Sequence, residues 1–200
     1  MKQPAIFLDR DGVINRNRPD HIKTWGEFEF LPGVLHALRR LAGVGLPMLV
    51  VSNQAAIGRG LTPRAAVDEI HRRMVAEIRA AGGRIDNVLY CPHRPEDDCA
   101  CRKPRPGLLL LAAERLGLCL ASSCLVGDAE ADVLAAQAAG CRAVLVKSGR
   151  GVEQLALLQQ HGVDGYHVAA DLTEAAEWIV PQLCPSSVSR AGPASSARTA

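Results

Sequence analysis

Two aspartates stand two residues apart in Asp9-Arg10-Asp11-Gly12-Val13, directly after a short apolar run. One carboxylate at a strand end can attack phosphorus to give an acyl phosphate. A second one close by can protonate the departing oxygen and later activate water, so attack and proton transfer fall to separate residues. A further acidic group, Asp128, follows Val126-Gly127, with Asp132 four residues on. Carboxylates gathered around a phosphate repel it unless a divalent cation lies between them. Carboxylate, water and phosphate oxygens suit magnesium, with Asp128 as the obvious further ligand. Ser52 and Lys103 complete the set as a hydroxyl donor and a fixed positive charge for the phosphoryl oxygens. Taken alone, an Asp-x-Asp pair is an ordinary solvated turn. The order strand-DxDG, strand-Ser, Lys-Pro, strand-GDxxxD within one chain gives it meaning.

A second constellation precedes Lys103. Cys91 and His93, five intervening residues, then Cys99 and Cys101 offer four soft or borderline ligands, the number a closed tetrahedral zinc site takes. A saturated site leaves no position for substrate, so the zinc is read as structural, a clamp on a loop too polar and proline-rich to fold by burial. Because Cys101 lies two residues before Lys103, the clamp would hold Arg102 and Lys103 at the active site. The alternative is a set of reduced structural cysteines, or a disulfide. Either would leave His93 unused, and the chain's seven cysteines are an odd number.

These residues need a scaffold that brings them to one edge. Residues 4 to 9 read as a buried strand, as do LPMLVVS to Ser52, IDNVLY to Cys91, SCLVGD and AVLV. Between them run amphipathic helices: one opened by Pro32 and Gly33, one from a Thr62 cap and Pro63 to about Ala81, and others near 107–117, 130–139, 152–161 and 173–183. Strands alternating with helices predict an α/β doubly wound parallel sheet, whose ligands collect at the carboxyl ends of the strands. Those ends carry Asp9, Ser52, Cys91 and Asp128. One domain over residues 1–184 is expected, with 185–200, rich in Ser, Ala, Pro and Gly, as a disordered tail.

The formal net charge is only +2 and the basic residues form no run, which argues against nucleic acid or an anionic membrane as partner. No apolar stretch approaches the ~18 residues of a membrane span, and no secretory leader opens the chain, so a cytoplasmic monomer acting on a small molecule is expected.

The four signatures resemble the haloacid dehalogenase (HAD) superfamily over roughly residues 4–150, with DRDGV, Ser52, Lys103 and GDAEAD in the places of its four motifs. The resemblance implies that Asp9 is the nucleophile and Asp11 the general acid and base. Asp128 would ligate magnesium beside the Asp9 carboxylate and the Asp11 backbone carbonyl, with Asp132 supporting and Ser52 and Lys103 holding the phosphoryl group. The Cys-x-His…Cys-x-Cys-Arg-Lys-Pro loop is similar to a branch whose members hydrolyse either a sugar bisphosphate of lipopolysaccharide-core synthesis or histidinol phosphate. The segments TWGEFEFLPGV and NQAAIGRGLT look closer to the sugar-bisphosphate members. By the same resemblance, substrate would meet Asn17, Arg18, Pro19 and Asp20, then Ser52, Asn53, Gln54 and Ala55, then Arg102 and Lys103, with the Arg102 fork suited to an oxyanion. Ala55, Ala56, His21 and Ala129 depart from the usual residues of that branch. There is no room for a large cap, so the site should be open. Trp25 and Phe28 to Phe30 read as core packing.

Overall fold

Alternation along the first strand divides the core. In the computed structural model, which describes residues 2–183, β1 (Ile6–Leu8) turns Ile6 and Leu8 to one face and Phe7 to the other, all three fully buried. On the Ile6 side lie Met48, Val50, Val126, Val144 and Val146, covered by Val34, Leu38 and Leu41, by Met74 and Ile78, and by Ala176 and Ile179. On the Phe7 side lie Leu49, Val51, Leu125 and Leu145, covered by Leu108, Ala112, Val133, Ala136 and Leu158. Two buried faces explain why the strands read as unbroken apolar runs.

The sheet has six parallel strands. They are β1, β2 (Met48–Asn53), β3 (Asn87–Cys91), β4 (Cys124–Gly127), β5 (Arg142–Val146) and β6 (Tyr166–Ala169), in the order β3-β2-β1-β4-β5-β6. The helices are α1 (Val34–Ala42), α2 (Ala55–Gly58), α3 (Arg64–Ala80), α4 (Gly107–Leu116), α5 (Glu130–Ala138), α6 (Gly151–Gln160) and α7 (Leu172–Leu183). The chain runs outward from β1 through β2 to β3, then returns to β4 on the other side of β1 and runs outward again. The winding therefore reverses between β1 and β4, and the crevice at their carboxyl ends is where such sheets take ligands.

The structure departs from the sequence reading in three places. Strand β6 was not anticipated, because Tyr166-His167-Val168-Ala169 is short, only partly buried and at the sheet edge. The short helix α2 directly after β2 was likewise unforeseen. Thr62 does not cap α3. The cap position belongs to Pro63, and the Thr62 hydroxyl instead donates to the Lys23 carbonyl at 3.1 Å, tying the helix entry to the loop after β1. Trp25 stacks on Phe28 and Phe28 meets Phe30 edge-on, all packed against the core as expected. No large cap domain is present among the described residues, and the expected tail at 185–200 lies outside them.

Candidate active site

Asp9 is the first residue beyond β1 and Asp128 the first beyond β4, so the switch point sets them side by side. Asp9 is nearly buried. Its Oδ1 accepts from the Arg10 backbone amide at 2.7 Å and pairs with Lys103 Nζ at 3.1 Å, and among the described residues no hydrogen bond ends on Oδ2. Lys103 arrives from the cysteine-rich loop. Its buried ammonium also donates to the Val51 carbonyl at 2.8 Å and pairs with Asp132 at 2.5 Å. Asp132 in turn accepts from the Ala129 amide at 3.1 Å, closing the first turn of α5. Thus Asp132 supports Lys103 from the fourth signature.

The Lys103 backbone is fastened as well. Asn53 Nδ2 donates to its carbonyl at 3.0 Å and Asn53 Oδ1 accepts its amide at 3.1 Å, a reciprocal pair joining the end of β2 to the loop. Buried Ser52 accepts from Gln54 Nε2 at 2.9 Å, and the same amide nitrogen donates to Asp11 at 2.9 Å.

The charges are out of balance. Burial pushes Asp9 up to about 6; Lys103 opposes this, while Asp132 and Asp11 add to it. Burial also raises Asp132, and burial together with the Asp9 charge raises Asp128. For Lys103, burial alone would depress the ammonium, but Asp132 and Asp9 outweigh it and hold it above the ordinary lysine range. Asp128 Oδ1 is buried with no hydrogen-bond partner, its nearest cation being Arg150 at 3.5 Å, while Oδ2 accepts from Asn17 at 2.5 Å and from the Arg150 amide at 2.9 Å. One oxygen of Asp9 and one of Asp128 are thus uncommitted in a place short of positive charge. This is a donor set of hard oxygens that fits a divalent cation such as magnesium. Gly12, at φ +82°, is needed here, because a Cβ on it would overlap the Asp128 carboxylate.

Asp11 lies apart from that group. Burial would raise it, yet the Arg10 guanidinium, Asn15 and Gln54 hold its carboxyl below the usual range. A cleft of about 560 Å³ opens over these groups, lined by Asp9, Asp11, Asn17, Arg18, Pro19, Ser52, Asn53, Gln54, Ala55, Arg102 and Lys103 among others. Asp20 is not in its lining and pairs instead with Lys23 and Arg18 on the surface. His21 and Ala129, two of the departures noted above, do line it, as does Arg150. The roles of Arg10, Asn15, His71 and Arg150 were missed. Arg10 lies between two acids, where a solvated turn charge is the ordinary expectation, and Arg150 follows β5 in a Ser-Gly-Arg-Gly turn.

The four ligand atoms of the second constellation converge. Cys91 Sγ lies 3.4 Å from Cys99 Sγ and 3.5 Å from His93 Nδ1, and Cys101 Sγ lies 3.5 Å from Cys99 Sγ and 3.4 Å from His93 Nδ1. Disulfide sulfurs would be ~2.05 Å apart. A tetrahedron with Zn–S near ~2.3 Å and Zn–N near ~2.0 Å has edges of roughly 3.5–3.8 Å, so the donor set fits zinc.

A parallel sheet of this order with aspartates at its switch point defines a HAD-like hydrolase, and residues 100–175 match the HAD-hyrolase-like family model. The D-glycero-beta-D-manno-heptose-1,7-bisphosphate 7-phosphatase of Pseudomonas aeruginosa is 41% identical over 78% of this chain and 87% of its own. That of Bordetella bronchiseptica is 39% identical over 88% of this chain and 98% of its own. The crystal structure of D,D-heptose 1,7-bisphosphate phosphatase from B. bronchiseptica, complexed with magnesium and phosphate, superposes with a TM-score of 0.84 at 38% identity, covering 90% of this chain and 99% of that one. The chain belongs to the D-glycero-D-manno-heptose-1,7-bisphosphate 7-phosphatase family.

Proposed function

We propose that this chain is a magnesium-dependent phosphatase that removes the 7-phosphate of D-glycero-D-manno-heptose 1,7-bisphosphate through an aspartyl phosphate on Asp9. The observation that carries the reading is Asp9 itself, nearly buried at the switch point, with one oxygen held by Lys103 and the Arg10 amide and the other uncommitted in the cleft. Asp9 attacks phosphorus, and Asp11, a carboxylate in the unliganded cleft, takes up a proton as the substrate phosphate enters and gives it to the departing sugar oxygen. Asp11 then takes a proton from the water that attacks the acyl phosphate, releasing phosphate, restoring the Asp9 carboxylate and leaving Asp11 protonated. Lys103 and Ser52 hold the phosphoryl oxygens as charge spreads over them. Magnesium, held by the Asp9 and Asp128 carboxylates and the Asp11 carbonyl, supplies positive charge that lets an anionic nucleophile meet an anionic phosphate.

Zinc on Cys91, His93, Cys99 and Cys101 is structural in this reading, keeping Arg102 and Lys103 at the cleft. Arg102, which donates to the His93 carbonyl at 3.3 Å, stands where it can take the sugar or its second phosphate, as can Arg18. Asn17, Pro19, Asn53, Gln54 and Ala55 shape the remaining substrate wall, while Asp20 acts only through Arg18. The catalytic unit is residues 1–184. In this reading three cysteines serve as zinc thiolates rather than disulfide partners, which suits a reducing cytoplasm, and the product would feed lipopolysaccharide-core assembly.

Phosphorus NMR of the reaction checks this. The 7-phosphate resonance should vanish while the 1-phosphate persists, and histidinol phosphate should be hydrolysed far more slowly. Preferential hydrolysis of histidinol phosphate would transfer the chain to the other substrate.

A further inference from the structure

Arg10 stands between the two aspartates, and at 1% exposure it is the largest of the fully buried side chains. A buried guanidinium is costly unless its N–H groups find acceptors. Here Nε and Nη2 donate to the Asp11 carboxylate, at 3.3 Å and at 3.0 Å to each oxygen. Nη1 points the other way and donates to His71 Nε2 at 3.1 Å. Arginine has donors only, so Nε2 must carry the lone pair, and His71 is the neutral tautomer protonated on Nδ1. Burial, reinforced by the Arg10 charge, pushes His71 down to about 3, which keeps it an acceptor throughout the neutral range.

His71 lies on α3, away from the four phosphoryl-transfer signatures, with its ring 5.0 Å from that of Tyr90 on β3. A long helix therefore fixes the imidazole, the imidazole fixes one end of the guanidinium, and the planar fork aims Asp11. We propose that Arg10 and His71 are a positioning pair that orients Asp11 for proton transfer, with His71 acting entirely through Arg10. This deepens the functional reading above and rests on it.

A pair that merely braces the fold would slow every substrate alike in kcat/KM, whereas a pair acting through the proton donor would not, because kcat/KM ends at formation of the aspartyl phosphate and leaves out the water step that both substrates share. A sugar alkoxide departs only with a proton, but 4-nitrophenolate departs without one. The test compares kcat and KM for wild type, His71→Leu and His71→Gln on heptose 1,7-bisphosphate and on 4-nitrophenyl phosphate. General acids contribute ~10²–10⁴-fold and here the acid is misaimed rather than removed, so His71→Leu should lower kcat on the bisphosphate about tenfold with KM within about twofold. Its loss on 4-nitrophenyl phosphate should be markedly smaller. His71→Gln, whose amide oxygen can accept the same Arg10 hydrogen bond, should recover most of the difference.

Equal losses of kcat/KM on both substrates, no loss on either, or a Gln variant no better than Leu would overturn the pairing. If His71→Leu does not fold, Arg10→Lys, which keeps the charge but not the fork, is read by the same ratio. A wild-type enzyme inert toward the bisphosphate but active on other alkyl phosphates would contradict the substrate assignment alone. The ratio of variant to wild type on those alkyl phosphates would then decide the pairing.

Discussion

The switch-point cluster and the cysteine loop both serve one sheet edge, but they are ordered by different physics. Asp9, Lys103, Asp128 and Asp132 are buried at the ends of strands whose hydrophobic faces fix them, and their cost is electrostatic. From Arg94 to Asp98 every residue is exposed, and the stretch has no apolar core of its own to fold around. Its order comes from local ion pairs such as Arg94 with Asp97 and from convergence of four metal-type ligands. The first region is built by burial and needs a cation to relieve it, whereas the second gathers a ligand set that fits one. Lys103 belongs to both, since its ammonium completes the first and its backbone ends the second.

Breaking the first region should abolish chemistry without unfolding. Asp9→Asn keeps shape and volume, so kcat should fall on the order of 10⁶-fold, as when another catalytic nucleophile is removed. The melting temperature should hold or rise as one buried carboxylate charge is relieved, which calorimetry beside a steady-state assay would show. A large drop in melting temperature would mean that Asp9 is structural.

Breaking the second should do the opposite, with stability and activity falling together. Cys99→Ser should lose the bound zinc seen by metal analysis and lower the melting temperature by about 5–10 °C, at ~2–4 °C per kcal/mol for a chain this size. Full activity in a zinc-free protein would separate the loop from the site.

The joint between them is Asn53, and Asn53→Ala tests whether the regions are coupled. It leaves the Lys103 amide and carbonyl without their partners, a cost of ~1–3 kcal/mol each way if they stay buried. Expected are a modest loss of stability and a larger loss of kcat, because Lys103 is freed from its place beside Asp9. A thermal shift with unchanged kcat would show that the ammonium is held by Asp132 alone.

The smallest effect is in the pH dependence of stability. His71 titrates near 6.5 when unfolded and is pushed to about 3 when folded, so the unfolded chain takes a proton that the folded one refuses. The contribution is present in full above pH 6.5 and lost as pH falls toward 3. Between pH 7 and 5 the wild type should therefore lose about 1–2 kcal/mol more than His71→Gln does. Parallel denaturant titrations of the two proteins would measure it, and identical slopes would mean that the imidazole is charged in the fold.

Much of this edge can be read in the sequence because strand ends and signatures coincide. Asp9, Ser52, Cys91 and Asp128 each close an apolar run, so the parallel sheet and its ligand edge follow from periodicity, and the convergence of Cys91, His93, Cys99 and Cys101 follows from spacing. Strand β6 was hidden because its half-exposed Tyr166-His167-Val168 has neither an unbroken apolar run nor clean alternation. Arg10 and His71 were hidden for a different reason. A charged residue between two acids and a histidine on a helix carrying several arginines both look solvated, and only the tertiary fold shows them buried against each other. Asp20 shows the converse, since it adjoins residues of the cleft in sequence while its carboxylate turns to Lys23 and Arg18.

The claim on which the rest depends is covalent attack by Asp9. Rapid acid quench of the enzyme turning over heptose 1,7-bisphosphate, followed by peptide mass spectrometry, tests it most directly. Phosphate is expected on the peptide carrying Asp9, and on none when Asp9 is asparagine. Steady turnover with that peptide unmodified at every quench time would contradict it.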